Sequence, residues 1–81
     1  MRISVKLFAI LRERSGSKEL TIELPDGATA ELAVEQLVEK LPAIRDLVGR
    51  AAVAINQNYS DRSTVLKDGD ELALIPPVSG G

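Results

Sequence analysis

The sequence predicts an α+β fold: one mixed sheet with one main helix packed on one of its faces. Residues 2–8 and 18–24 alternate between apolar and polar side chains, which indicates two half-buried strands. Residues 29–41 carry apolar side chains at helical spacing, and two short apolar stretches follow at 51–55 and 71–75. With 81 residues in total, these elements are expected to form a single small domain.

The first two strands are joined by a short helical segment. Phe8 follows Leu7 directly, so it breaks the alternation of the first strand and is expected on the opposite side of the sheet. Residues 9–14 predict one or two helical turns that end at Gly16. Because this connection is short, we expect the strand at 18–24 to pair antiparallel with the first.

The main helix has clear start and stop signals. Thr29 can cap its first turn through the side-chain oxygen, and Pro42 ends it. One apolar stripe faces the sheet; it consists of Ala30, Ala33, Val34, Leu37, Val38 and Leu41. Beyond the proline, residues 43–48 predict one more short helical turn, closed by Gly49.

Two further strands complete the sheet, at 51–55 and 71–75, the second launched by the tight turn Lys67-Asp68-Gly69-Asp70. Between them, Asn56 begins a polar loop and either contacts a partner or substrate or closes a turn, the commoner role for Asn. Tyr59, the only Tyr, either contacts a partner or packs at the rim of the sheet.

The order strand, strand, helix, strand, strand fits the ubiquitin-like β-grasp arrangement. There the first and last strands lie parallel at the sheet centre, so Phe8 and Ile75 fall at the same end of neighbouring strands. We predict that both side chains point away from the helix and form an apolar partner interface, because exposed contiguous apolar surface marks contact sites. The alternative is that a loop covers them, and full burial of both residues would exclude the patch.

Residues 76–81, Pro-Pro-Val-Ser-Gly-Gly, predict an extended tail that leaves a 1–75 domain. Its two prolines have no amide hydrogen, so the strand is expected to end at Ile75. A Pro-Pro pair favours stiff polyproline II geometry, at about 3 Å per residue. The closing glycine pair has no Cβ and fits a channel as narrow as a backbone. The alternative is an ordinary frayed chain end.

Composition narrows the chemistry that this chain can perform. It has no Cys and no His, so it lacks the commonest soft metal ligands and the commonest general base, and no metal site is predicted. Its 10 basic and 12 acidic residues are spread along the chain, and aromatics are 2%, which argues against nucleic acid as a partner. No apolar run approaches the roughly 20 residues that span a bilayer, so no membrane partner and a cytoplasmic location are expected. The reactive group that remains is the α-carboxylate of Gly81.

Four segments of the chain resemble one known family. They are Phe8-Ala9-Ile10-Leu11-Arg12-Glu13 with Gly16, Ile55-Asn56-Gln57, Leu66-Lys67-Asp68-Gly69-Asp70-Glu71-Leu72 and Pro76-Pro77-Val78-Ser79-Gly80-Gly81. Together they resemble the small, sulfur-carrier subunit of molybdopterin synthase, over the whole chain. The Pro-Pro-Val-Ser-Gly-Gly ending is the most specific segment. Family members often carry a second aromatic residue before the prolines, where this chain has Leu74-Ile75.

The resemblance implies a two-stage reaction. An adenylyltransferase related to ubiquitin activators uses ATP and Mg to convert the Gly81 carboxylate to an acyl adenylate, and a sulfur donor replaces AMP to leave a thiocarboxylate. The large synthase subunit, in a heterotetramer, then receives the tail and transfers its sulfur to a cyclic pyranopterin monophosphate. This chain binds no cofactor and is not expected to be catalytic alone. The tail residues presented to the partner active sites are Pro76, Pro77, Val78, Ser79 and Gly80.

Other functions use the same fold and ending. One alternative is a sulfur carrier for thiamine or tRNA thiolation, although such carriers usually lack the Pro-Pro-Val spacer. Another is a ubiquitin-like modifier that joins its activated carboxylate to lysines. A plain interaction module with an inert tail is the third.

Overall fold

The computed structural model describes residues 1–77, which form a mixed five-stranded sheet in the order β2-β1-β5-β3-β4. Two helices accompany the sheet. The elements are β1 (Arg2–Leu7), α1 (Ala9–Ser15), β2 (Glu19–Glu23), α2 (Ala30–Lys40), β3 (Ala52–Ile55), β4 (Asn58–Ser60) and β5 (Glu71–Ile75). The α+β, ubiquitin-like β-grasp arrangement predicted from the sequence is confirmed.

Strand pairing follows the predicted topology at the sheet centre. β1 pairs antiparallel with β2 and parallel with β5, and in the second pair Leu7 lies opposite Leu74. β3 then pairs antiparallel with β5, so that Ala52 lies opposite Ile75. The last strand therefore lies between the first strand and β3, and its end is held in the middle of the sheet.

The hydrophobic core lies between α2 and one face of the sheet, which we call the inner face. Thr29 caps α2 as predicted, because its Oγ1 accepts a hydrogen bond from the Leu32 amide at 3.3 Å. The core is aliphatic throughout; its fully buried large side chains are Ile3, Leu7, Leu11, Ile22, Leu37, Ile44, Leu72, Leu74 and Val5. Removal of this apolar surface from water is the main source of stability for such a small sheet.

The segment after α2 differs from the prediction of one helical turn over 43–48. The structure has two 3₁₀ turns instead, Pro42–Ile44 and Val48–Arg50. Proline at the first position favours a new turn there, since it has no amide hydrogen to lose. Ile44 and Val48 are buried, one from each turn, so the segment is anchored to the core at two points.

The polar loop expected after Ile55 is in fact a hairpin. Asn58–Ser60 forms the short edge strand β4, which pairs antiparallel with β3 and places Tyr59 opposite Ala54. Asn56 and Gln57 both have positive φ, 51° and 72°, the geometry of a two-residue type I′ hairpin turn. The sequence pattern missed the strand because only three residues take part and none of them is buried.

Candidate functional site

The candidate site is the end of β5, where the tail begins. The strand ends at Ile75, as predicted, and is followed by Pro76, which is half-buried, and Pro77, which is exposed. Neither proline can donate a main-chain hydrogen bond, so pairing with β3 stops at this point. The predicted tail residues Val78, Ser79, Gly80 and Gly81 lie outside the described residues. Their roles, and the division into a 1–75 domain and a 76–81 tail, stay predictions.

Phe8 and Ile75 occupy the same end of neighbouring strands. Leu7 pairs with Leu74, and Phe8 and Ile75 are the next residues along their two strands. Phe8 is 45% exposed and Ile75 is half-buried, so the full burial that would have excluded an apolar patch does not occur. Their use as a partner interface is not tested by these positions and stays a prediction.

The backbone explains why Phe8 is exposed. Its φ of −122° and ψ of 155° continue the extended geometry of β1, which turns its side chain away from buried Leu7. Ala9 then adopts a positive φ of 52°, unusual for a residue with a Cβ, and the chain turns into α1. Leu11, fully buried, fixes that helix to the core. The turn thus places an aromatic side chain at the sheet end instead of in the core.

Tyr59 lies on the same face of the sheet as Phe8 and Ile75. We call this face, opposite the inner face, the outer face. Register places Tyr59 opposite Ala54 and Ala54 opposite Ala73, both small and buried. The Tyr59 side chain is 75% exposed. We define the outer patch as Phe8, Ile75 and Tyr59. Sequence reasoning placed Tyr59 at the rim but not in this patch, and recognition of Asn56-Gln57 as a hairpin turn would have supplied the missing register.

Basic residues border the outer patch beside Phe8. A small hollow of about 240 Å³ is lined by Leu7 and Phe8, by three basic residues, Lys6, Arg12 and Lys18, and by one acidic residue, Glu19. Lys6 is already paired with Glu71 at 3.3 Å, whereas Arg12 and Lys18 form no ion pair with any residue in 1–77. The border next to Phe8 therefore has positive charge available for an acidic partner surface.

Asn56 has a structural role within the described residues. Its Nδ2 donates to Asp70 Oδ1 at 2.9 Å, and its Oδ1 accepts from the Glu71 amide at 3.0 Å. Of the two alternatives raised by the sequence, partner contact or turn closure, the geometry favours turn closure. Asn56 joins the start of β5 to the β3–β4 turn.

A metal site and a membrane-spanning helix each have recognisable structural requirements. Within residues 1–77 the structure has no cluster of three or more Asp, Glu, His or Cys side chains that could hold a metal ion. Across the same residues, neither helix has the length and apolar content required to cross a bilayer.

Comparison with known proteins gives one consistent result. The ThiS family model matches residues 5–81. A molybdopterin synthase sulfur carrier subunit of Chlamydomonas reinhardtii is 43% identical over 83 residues, covering 100% of both chains. Among solved structures, small archaeal modifier protein 1 of Haloferax volcanii has a TM-score of 0.90 at 34% identity, covering 100% of both chains.

A second solved structure is of a complex. It contains subunits 1 and 2 of the molybdopterin-converting factor of Helicobacter pylori, and the matching chain has a TM-score of 0.72 at 27% identity, with 100% of both chains covered. That relative therefore assembles with a second subunit.

Proposed function

The chain belongs to the ThiS family, and we propose that it is the sulfur-carrier subunit of a molybdopterin synthase. The structural observation that carries the proposal is the arrangement at the C-terminal end of β5. There, a strand held at the sheet centre runs past an accessible apolar patch into a Pro-Pro segment. This arrangement suits a domain that docks on a partner through the patch and delivers its tail into the partner's active site.

The reacting group is the carboxylate of Gly81. An ionised carboxylate is a poor electrophile at neutral pH, so it needs activation. The chain has no glycine-rich phosphate-binding motif, and activation is therefore assigned to a separate adenylyltransferase that uses ATP and Mg. The carboxylate displaces pyrophosphate from ATP, and a sulfur donor then displaces AMP, which leaves a thiocarboxylate at Gly81.

The second partner is the large synthase subunit, which accepts the thiocarboxylate tail. Its active site holds the cyclic pyranopterin monophosphate that receives the sulfur, and two small subunits serve a dimer of large ones. Within the tail, Val78 fills an apolar slot of the channel and Ser79 forms a hydrogen bond inside it. Little loss of sulfur transfer in both Val78→Asp and Ser79→Ala would leave the prolines and the glycine pair as the sufficient elements.

Reconstituted sulfur transfer tests the proposal. The full chain is incubated with the adenylyltransferase, ATP, Mg, a sulfur donor and the large subunit, and the sulfurated pterin is quantified. Deletion of Gly80 and Gly81 abolishes transfer, and Gly81→Ala slows activation sharply because a Cβ must pass through the narrow channel. Both variants keep the thermal unfolding midpoint of the parent. Full transfer by the deletion variant would overturn the proposal.

A second function is favoured by one comparison: the Haloferax volcanii neighbour is named as a protein modifier. A modifier uses the same activated carboxylate but transfers it to a lysine amine. Covalent conjugates of this chain, lost on deletion of Gly80 and Gly81, would support that alternative. The whole-chain sulfur-carrier relatives, up to 43% identical, favour sulfur transfer as the main function.

A further inference from the structure

A groove lies beside the base of the tail and is separate from the outer patch. Its volume is about 560 Å³, within the size range of protein binding pockets. The residues of its wall that matter here are Ile10, Asp46, Leu47, Arg50, Pro76 and Pro77. None of the three outer-patch residues lines it. The tail base is therefore flanked by two different surfaces, and the proposed docking through the patch uses only one.

Hydrogen bonds from Arg62 hold the backbone on the Arg50 side of the groove. The Arg62 guanidinium donates to the Ala51 carbonyl at 2.8 Å and to the Val48 carbonyl, which lie on either side of Gly49 and Arg50. Arg62 also pairs with Glu31 at 3.4 Å, which ties this turn to the start of α2. A wall held in this way is preformed, so a partner that enters the groove does not have to order it first.

The groove wall carries one acidic residue, Asp46, and one basic residue, Arg50. Asp46 is matched by Arg14, whose Nη1 lies 3.6 Å from Asp46 Oδ1. Arg50 is exposed and forms no ion pair with any of the described residues. One guanidinium is thus left to accept a carboxylate, the geometry for which Arg is well suited.

The remaining wall of the groove is apolar. Ile10 is 37% exposed, and Leu47 and the two prolines lie around the same space. An apolar side chain with a carboxylate close beside it matches both features of the groove, its lining and its single unpaired charge.

We propose that this groove receives an apolar side chain and a neighbouring carboxylate from the large synthase subunit. The inference rests on the proposed function, because a partner that accepts residues beyond Pro77 must approach over the groove. A lasting two-subunit complex buries on the order of 800 Å² on each partner, more than three patch side chains supply. The groove adjoins the base of the tail, so a large subunit that holds the tail can extend its contact into the groove.

Charge reversal at Arg50 tests the inference. Binding of the full-length Arg50→Glu variant to the purified large subunit is measured by calorimetry, and Kd is expected to rise about tenfold or more. Arg45→Glu is the matched control: it makes the same charge change at an exposed position of the same segment that does not line the groove, and should alter Kd less than about twofold. Equal effects of the two substitutions, or no effect of Arg50→Glu, would overturn the inference.

The apolar part of the groove needs its own variant. Ile10→Ala is expected to raise Kd several-fold while the thermal midpoint stays close to that of the parent, since the side chain is already partly in water. An unchanged Kd for Ile10→Ala would contradict the apolar occupant.

A third measurement separates this inference from the proposed function. Arg50→Glu should acquire its thiocarboxylate from the adenylyltransferase at the parent rate. If the substitution slows that step, the groove serves the adenylyltransferase and the inference is wrong. If the parent chain never acquires sulfur, the proposed function fails. If the parent acquires sulfur and Arg50→Glu binds the large subunit as well as the parent, only the groove assignment fails.

Discussion

The two ends of β5 are built differently. At its start, polar side chains cross-link the strand to its neighbours: Asn56 bonds to both Asp70 and the Glu71 amide, and Asp68 accepts from the Arg2 amide at 2.8 Å. At its end, Ile75 leads into two prolines beside exposed Phe8, and the side chains offer apolar surface instead of hydrogen bonds.

This contrast separates stability from function along one short strand. The start of β5 closes the domain, because its hydrogen bonds join segments far apart in the chain. The end of β5 leaves its apolar side chains available to a partner and its main chain free to continue outward. Substitutions at the start should therefore change the free energy of unfolding, and substitutions at the end should change partner affinity.

The largest expected effect is at the end of the strand. Phe8→Ala should weaken binding to the large subunit by about 2 kcal/mol, roughly 30-fold in Kd, because aromatic anchors contribute most of the energy of an interface. The free energy of unfolding should change by less than about 1 kcal/mol, since Phe8 is 45% exposed. Val65→Ala is the control, an apolar residue 56% exposed that lies outside the outer patch. Comparable losses of affinity in both variants would remove the patch from the account.

A smaller effect is expected at the start of the strand. Asn56→Ala removes two hydrogen bonds that close the domain and places Ala at a φ of 51°, which Asn tolerates better, so it should lower the free energy of unfolding by about 1 to 2 kcal/mol in urea titrations. Asn58→Ala removes one longer bond, from Nδ2 to the Asn56 carbonyl at 3.3 Å, and should cost less than about 0.5 kcal/mol. Kd for the large subunit should stay unchanged in the folded protein. Lower affinity for Asn56→Ala at full folding would break the division between the two ends.

The smallest effect concerns the β3–β4 turn. Gln57 has a positive φ of 72°, where glycine carries no steric cost, so Gln57→Gly should raise the free energy of unfolding by about 0.5 kcal/mol. Because Tyr59 keeps its register across from Ala54, partner affinity should not change. A lower unfolding midpoint in this variant would show that the glutamine side chain contributes more than its backbone strain costs.

Much of the fold could be predicted from the sequence because local signals agreed with the final packing. The alternation ending at Leu7 and the Thr29 cap identified their elements, and Pro76 marked the end of the last strand. Phe8 was placed on the outer face because it falls out of phase, and its exposure agrees.

The remaining features depend on contacts that have no local pattern. β4 has three residues and none of them is fully buried, so alternation could not indicate it, and the register that places Tyr59 on the outer face was missed with it. The groove beside the tail brings together α1, the segment after α2 and the prolines, which only the folded chain places side by side. The Arg62 bonds to the Val48 and Ala51 carbonyls likewise depend on long-range packing.

The most direct test of the central claim is the intact mass of the full chain after incubation with the adenylyltransferase, ATP, Mg and a sulfur donor. Replacement of one oxygen by sulfur adds about 16 Da, and fragmentation should place that increment on Gly81. The account predicts this species, competent to transfer sulfur to the pterin once the large subunit is added. An unchanged mass in the presence of active partners, or sulfur located anywhere other than the closing residue, would contradict it.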